Sequence, residues 1–234
     1  SQKWLSSLPH RHKILIAGNH DVLLDEEFLS KHPERRYEQT QTKEDLEWGS
    51  VVYLQDSSIT LHVSSGAESE PRREVTIFGS PWTPQYGSSA FQYRPDNYDH
   101  WGKVFSALKE TPDIIVTHGP PHLHLDKRDF HRAGCPYLAQ EIRRLRPRLH
   151  IFGHIHVGYG KETVTLDTIQ ACYEEIMTGW AGWGAVLKMA IVTAWTCLPK
   201  MFYLQTRSKK TTFVNAAVVG FQNKIVNDPI IVDI

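Results

Sequence analysis

The sequence predicts a layered α/β sandwich, and three observations carry that reading. Short apolar runs rich in β-branched residues recur along the chain and stop at polar, glycine-containing loops. In the middle of the chain these runs alternate with segments of helical periodicity. Elsewhere strand-like runs follow one another closely and are expected to pair locally. With 234 residues there is room for a sizeable core, and a composition 41% hydrophobic and 22% charged is that of a globular chain.

Ser1 to Leu8 reads as the last turns of an amphipathic helix, with Trp4, Leu5 and Leu8 at helical spacing. A domain rarely begins there, and no basic segment followed by an apolar stretch marks a signal peptide, so the chain is expected to be an N-terminally truncated portion of something longer. Lys13 to Ala17 is a buried strand running into Gly18-Asn19-His20-Asp21. Ser50 to Leu54 and Ser58 to Val63 are strands around a turn at Gln55-Asp56, and Ser64 to Arg73 is a polar turn. Glu74 to Gly79 is a strand broken by Ser80-Pro81-Trp82, and Asp96 to Glu110 has a helical pattern. Asp113 to Thr117 is a strand ending at His118-Gly119-Pro120-Pro121. Cys135 to Arg146 is a helix with Leu138, Ile142 and Leu145 on one face, followed by a strand, Arg148 to Phe152, that ends at Gly153-His154-Ile155-His156. Thr211 to Ala217 and Ile230 to Ile234 are the last strands. Residues 167–210 break this rhythm and are read as a helical insertion in a domain made of 1–166 and 211–234.

Lys plus Arg is 26 and Asp plus Glu is 26, a balance that argues against a binder of nucleic-acid duplexes. Three cysteines, Cys135, Cys172 and Cys197, make neither a disulfide framework nor a zinc-knuckle pattern, which points to a reducing, cytoplasmic compartment.

Three strands end in loops that carry His or Asn beside Gly: Asn19 and His20, His118, and His154 with His156. Loops at the carboxyl ends of adjacent strands converge in one crevice. Imidazole nitrogens and an amide oxygen suit Mn, Fe, Zn or Ni rather than Ca. In an extended backbone His154 and His156 would point to the same face and could each meet one ion of a close pair. Taken singly, each piece has a plainer reading: a capping His118, a turn at Asn19-His20-Asp21. It is their recurrence at three strand ends that favours a site.

Gly18-Asn19-His20-Asp21, Thr117-His118-Gly119 and Gly153-His154-Ile155-His156 resemble three consecutive motif blocks of the calcineurin-like metallophosphoesterases. The flanks Gly79-Ser80-Pro81-Trp82-Thr83-Pro84, Arg146-Pro147-Arg148-Leu149-His150, Val157-Gly158-Tyr159-Gly160 and Val214-Asn215-Ala216-Ala217 are similar to the small metallophosphoesterase-domain-containing branch of that superfamily. The resemblance covers most of the chain outside 167–210. It implies an α-β-β-α sandwich and a hydrolase, phosphodiesterase or phosphatase, that uses a metal-activated hydroxide at a dinuclear centre of Mn, Fe or Zn. It also implies that Asn19, His118 and His154 are ligands of the second metal and His156 of the first. His20 would face the phosphoryl group and stabilise or protonate the leaving oxygen, while Asp21 would steady the loop or orient His20. The implied substrate is a phosphate ester, with nucleotides favoured.

The chain departs from this pattern upstream. The family's Asp-x-His and Gly-Asp blocks precede Gly-Asn-His, and no Asp or Glu precedes Asp21 here. Two dications on neutral ligands alone would repel each other. The chain as it stands is therefore expected to bind one metal or none and to be inactive. A non-catalytic binding or scaffold protein of the same fold is the alternative.

Trp82, Tyr86, Phe91, Tyr93, His122 and His124 either line a substrate cleft or pin a long loop to the body. Cys135, at a helix start, is read as a packing residue rather than a reactive thiol. From Gly179 to Leu198 there is a single charge, Lys188, with Trp180, Trp183, Leu187, Ile191 and Trp195 in an apolar stripe and Lys200, Arg207, Lys209 and Lys210 following. A single membrane span would separate parts of one domain. Packing on the body or a partner, or contact with a membrane surface through 179–198, fits better.

Overall fold

In a computed structural model, residues 2–36, 40–63, 73–201, 209–220 and 224–234 are described. Strand β1 (Lys13–Leu15) follows helix α1 (Gln2–Ser7), and α2 (Glu26–Lys31) precedes β2 (Val51–Tyr53), β3 (Ser57–Val63) and β4 (Arg73–Ser80). Two short strands, β5 (Thr83–Pro84) and β6 (Gln92–Tyr93), lead to α3 (His100–Ser106) and β7 (Ile114–Thr117). A small hairpin, β8 (Lys127–Arg128) and β9 (His131–Arg132), precedes α4 (Pro136–Leu145), β10 (Leu149–Phe152) and β11 (Gly160–Thr165). Helices α5 (Thr168–Met177) and α6 (Trp183–Met201) then lead to β12 (Lys210–Asn215).

Six strands form the main sheet in the order β11-β12-β10-β7-β4-β3. The four inner strands run parallel, and β3 and β11 are antiparallel at its edges. Both faces are covered. On one, the cross-strand row Phe78, Ile115, His150 and Phe213 is fully buried beneath Trp101 and Phe105 of α3 and Leu138 and Ile142 of α4. On the other, Ile77, Ile114, Leu149 and Val214 pack against Ile14, Ile16, Val52 and Leu54, which belong to or follow the two-stranded parallel sheet of β1 and β2. The layers are thus helix, sheet and a smaller sheet.

The structure shifts several sequence expectations. Segments 50–54 and 58–63 do not pair with each other: Asp56 turns the chain at φ 48°, sending β2 to β1 and β3 to β4. The helix expected from Asp96 is shorter, because the Arg94–Asp96 ion pair (2.7 Å) and the turn from Arg94 to Asn97 hold the chain out of helical register. Ile230 to Ile234 is not a strand; Ile230 and Val232 instead lie over the second core face. The turn read at Ser64 to Arg73 falls, apart from Arg73, outside the described residues, as does Arg207. Three short elements at polar positions, α2, β8 and β9, and the edge strand β11 were not expected.

Polar groups inside the body are tied. Trp101 Nε1 donates to Tyr93 Oη (2.9 Å), and Cys135 Sγ caps α4 by accepting from Leu138 N (3.4 Å). Burial pushes the Cys135 thiol up, which keeps it a thiol. His124 stacks on Phe213 with ring centroids 3.9 Å apart, its two nitrogens 3.0 Å from Glu162 and 3.2 Å from Glu174. Glu174 also accepts from Arg143 (3.0 Å) and Gln170 (3.0 Å), so α5 is fastened to α4 and β11 through one buried network. Burial lowers the His124 pKa, but the two carboxylates outweigh it and hold it above the usual histidine range.

Two outcomes follow from this packing. Phe213→Ala removes a fully buried ring from the centre of a two-faced sheet and is expected to cost about 3–5 kcal/mol, read as a lowered urea midpoint. His150 and His100 are two pH-sensitive elements of the packed core, away from the strand-end loops. Burial depresses their pKa values, to about 3 and about 4. A depressed histidine contributes stability above its unfolded pKa near 6.5, and that stability is lost as pH falls. Urea unfolding at pH 5 is expected to show a loss of about 2 kcal/mol from His150 relative to pH 7, with a smaller contribution from the partly exposed His100, and His150→Phe should flatten the slope.

Candidate metal-binding crevice

Parallel β7 and β10 bring their carboxyl ends to one edge, and the loop after β1, in the smaller sheet packed against the main one, meets them there. The loop after β1 is closed by its own side chain: Asp21 Oδ2 accepts the Gly18 N–H at 2.7 Å, and Asp21 N donates to Gly18 O at 3.0 Å. Asn19 is buried in this turn, while His20 and Asp21 are exposed at its mouth. Gly18 has to be glycine for a steric reason, since a Cβ there would lie 2.6 Å from His118 Cε1.

His118 follows β7 and places Nε2 2.7 Å from Asn19 Oδ1. Its carbonyl accepts the Gly153 N–H at 3.0 Å, tying this loop to the one after β10. His154 lies next to it, the two rings 4.8 Å apart at centroids, with Tyr86 5.1 Å from His154 on the other side.

The extended backbone assumed for His154 and His156 is not what forms. His154 sits at φ 64°, the Ile155 N–H closes back on Gly153 O at 2.7 Å, and His156 opens a turn of 3₁₀ helix with its side chain exposed. A left-handed non-glycine residue costs of the order of 1–3 kcal/mol, and such strain concentrates at functional sites. What holds it is Asn215 at the end of β12, whose amide donates to Ile155 O (2.9 Å) and Leu125 O (3.1 Å). Gly158 lets the loop after β7 pass, since a Cβ there would collide with Leu125 O.

The crevice is a crowd of imidazoles. Burial first, then the neighbouring His154, His20 and His156, hold His118 down at about pKa 3. Burial, then His156, His20 and Arg128, hold His154 at about 4. Both rings are therefore neutral near pH 7, the form that can donate a lone pair to a metal.

The donor set fits one divalent ion better than two. Asn19 Oδ1 and His118 Nε2 already converge, His154 adjoins them, and all three are neutral donors suited to a borderline metal. Among the described residues, however, no three His, Cys, Asp or Glu side chains are placed to hold an ion together. Asp21 spends a carboxylate oxygen on its own turn, and Asp25 caps α2 through Phe28 N (3.0 Å) and anchors Phe91 N (2.7 Å).

A cavity of about 620 Å³ opens beside His154, lined by Trp82, Thr83, Tyr86, Arg128 and His131 among others. Of the aromatics considered from sequence, Trp82 and Tyr86 face it, whereas Phe91 and Tyr93 are buried in the body. His122 and His124 lie away from it, with His122 3.5 Å from the buried Asp126. Arg128 and His131 are additions the sequence reading missed; the cation-rich run Lys127-Arg128-Asp129-Phe130-His131-Arg132 was the available signal.

Comparison with known proteins agrees with this architecture. A family description, calcineurin-like phosphoesterase, matches residues 1–158. The human metallophosphoesterase domain-containing protein 1 is 36% identical over 177 residues, 68% of this chain and 48% of that protein. A UPF0046 protein of Caenorhabditis elegans is 30% identical over 181 residues, 69% of this chain and 42% of its own. A probable rhamnogalacturonate lyase C of Emericella nidulans is 39% identical over 220 residues, 93% of this chain but 19% of that protein. The chain thus spans from about a fifth to about half the length of these relatives. On the matched family, the three histidine-bearing loops and the relatives together, the chain belongs to the calcineurin-like phosphoesterases, in the branch of the metallophosphoesterase domain-containing proteins.

Proposed function

We propose that this crevice serves hydrolysis of phosphodiester or phosphomonoester bonds with a divalent ion held by Asn19, His118 and His154, with His156 beside them. The observation that supports it most directly is the 2.7 Å approach of Asn19 Oδ1 to His118 Nε2, two donors brought together from loops 99 residues apart. When bound, a divalent ion would polarise the phosphoryl oxygens and lower the pKa of a water.

The chain's own residues account for the rest. Burial keeps His118 and His154 neutral, so their lone pairs remain available down to mildly acidic pH. His20, exposed at the mouth of the crevice, would hold or deliver a proton at the leaving oxygen. Arg128 and His131 bring positive charge to an ester in the cavity, and Trp82 and Tyr86 offer a wall for a flat leaving group such as a nucleobase. Thr83 Oγ1 is buried beside the cavity with no protein hydrogen bond among the described residues, leaving it open to a substrate polar group.

The crevice supplies neutral donors for a single ion, and among the described residues no carboxylate is placed to bridge a second. By themselves residues 1–234 are expected to hold one Mn²⁺ weakly and to be inactive on both ester classes. Titration with Mn²⁺ followed by calorimetry is expected to give one site that His118→Ala abolishes; two tight sites would overturn the single-ion reading. Among the described residues no trio of His, Cys, Asp or Glu is placed to hold an ion, and a second reading is a non-catalytic binding protein of this fold. Nucleotide binding without any Mn²⁺ site would select it.

Gly18→Ala forces the His118 ring aside and should weaken Mn²⁺ by roughly tenfold or more while far-ultraviolet circular dichroism stays unchanged. Fusing to Ser1 a segment with Asp-x-His and Gly-Asp strands should produce Mn²⁺-dependent hydrolysis of bis(p-nitrophenyl) phosphate. In that fusion His20→Asn is expected to lower kcat about 10²-fold, and an unchanged kcat would remove His20 from the reaction.

A further inference from the structure

The two helices between β11 and β12 are treated very differently by the body. Helix α5 is fastened through buried Glu174 to His124 and Arg143, and through buried Cys172. Helix α6 packs along α5 but leaves its apolar stripe in solvent: Trp183 is 88% exposed, Leu187 63%, Ile191 60% and Trp195 72%. These four lie at i, i+4, i+8 and i+12, on one side of the helix. The helix contains no acidic residue, and among the described residues no helix is long and apolar enough to cross a membrane.

A second feature, at the end toward which α6 runs, carries an excess of positive charge. A cavity of about 730 Å³ at the amino ends of the inner strands is lined by Arg146, Arg148, Lys209 and Lys210 against one carboxylate, Asp113. None of these four cations forms an ion pair among the described residues, and Asp113 accepts the Thr76 N–H at 3.1 Å. Topology brings the two features together. Thr165 at the end of β11 pairs with Lys210, and α5 starts three residues later, at this basic end. The short linker 178–182 sends α6 back along α5. At about 1.5 Å per residue, the nineteen residues of α6 outrun the ten of α5, so its last turns head for the end where Lys209 and Lys210 open β12.

We infer that the exposed stripe of α6 and the basic cavity of Arg146, Arg148, Lys209 and Lys210 form one docking surface for an anionic lipid membrane. The helix lies in the interface plane with its tryptophans at headgroup level, and the cations meet lipid phosphates. Charge complementarity selects this occupant: a protein partner would have to bring both an apolar groove and an acidic rim, whereas an anionic bilayer presents both at once. The basic cavity lies at the amino ends of the strands, opposite the histidine crevice, and docking through it and α6 needs no metal.

The test is co-sedimentation of the full chain with phosphatidylcholine vesicles, with and without phosphatidylserine, alongside light scattering of the free protein. Salt-sensitive binding to the phosphatidylserine vesicles alone is expected. The double variants Trp183→Ala/Trp195→Ala and Arg148→Glu/Lys210→Glu should each weaken it by about tenfold or more. All four positions are exposed, so loss of fold does not confuse the result. Failure to bind either vesicle overturns the inference. So does a concentration-dependent dimer abolished by Trp183→Ala/Trp195→Ala, which assigns the face to a second copy. Binding that ignores the charge reversals removes the basic cavity from the surface.

Discussion

Burial of the main sheet on both faces is the constraint from which the site arises. The cross-strand row of Phe78, Ile115, His150 and Phe213 is sealed under α3 and α4, and Ile77, Ile114, Leu149 and Val214 are sealed on the reverse. Positions along the inner strands can then carry apolar side chains or, as with His150 bonded to Thr117 Oγ1 at 2.9 Å, a polar group with a partner at hand. Chemistry is displaced to the strand ends. Because β7 and β10 are parallel neighbours, their ends coincide and His118 meets His154, while β1 of the smaller sheet, packed on the main one, brings Asn19 to them. The site is the edge of a well-covered sheet.

That edge is under tension of a specific kind. His118 and His154 lose solvation on burial, and each charged neighbour would penalise them further, so these two rings are held neutral. The backbone is strained at the same point, with His154 in the left-handed region and held there by Asn215. Neutrality and strain act together: the rings are kept basic in the Lewis sense, close to one another, and unable to relax by rotating the loop. An arrangement that maximised the stability of the free chain would have neither feature.

How far the sequence could reveal this follows from where the information lies. The three strand-ending loops were legible because each couples a β-branched apolar run to Gly with His or Asn, a local signal. The inner strands were legible for the same reason. The route from β2 to β1 rather than β3 was not, since it depends on Asp56 adopting a positive φ that its neighbours do not announce. The disposition of His154 and His156 was misjudged because an i, i+2 argument presumes extended backbone, and Asn215, 60 residues away, imposes a turn instead. Arg128 and His131 were missed since a cation-rich hairpin is locally indistinguishable from a solvated surface; its position beside His154 is a tertiary fact. His124 shows the reverse case. It reads as a loop residue, and it is in a loop, yet Glu162 and Glu174 make it the hub that secures α5.

The contrast between α5 and α6 follows from the same accounting of buried charge. Glu174 is tolerable inside because Arg143, Gln170 and His124 saturate it, and removing Arg143 would strip the buried carboxylate of its permanent countercharge. That network specifies where α5 goes. Helix α6 has no such group: Lys188 is its one charge before residue 196, and it is exposed. No buried ion pair like that of Glu174 fixes its described part, and apolar area alone should have turned Trp183, Leu187, Ile191 and Trp195 inward if the body offered a surface to receive them. Tyr137 takes up Trp180, with ring centroids 5.4 Å apart, and the reception ends there. Beyond that point α4 presents Arg143 and Arg144, paired with Glu175 and Glu141, so its outer face is already committed to charge. The helix that the body secures by ion pairs is thus the one that cannot leave, and the helix that it cannot cover is the one free to meet another phase.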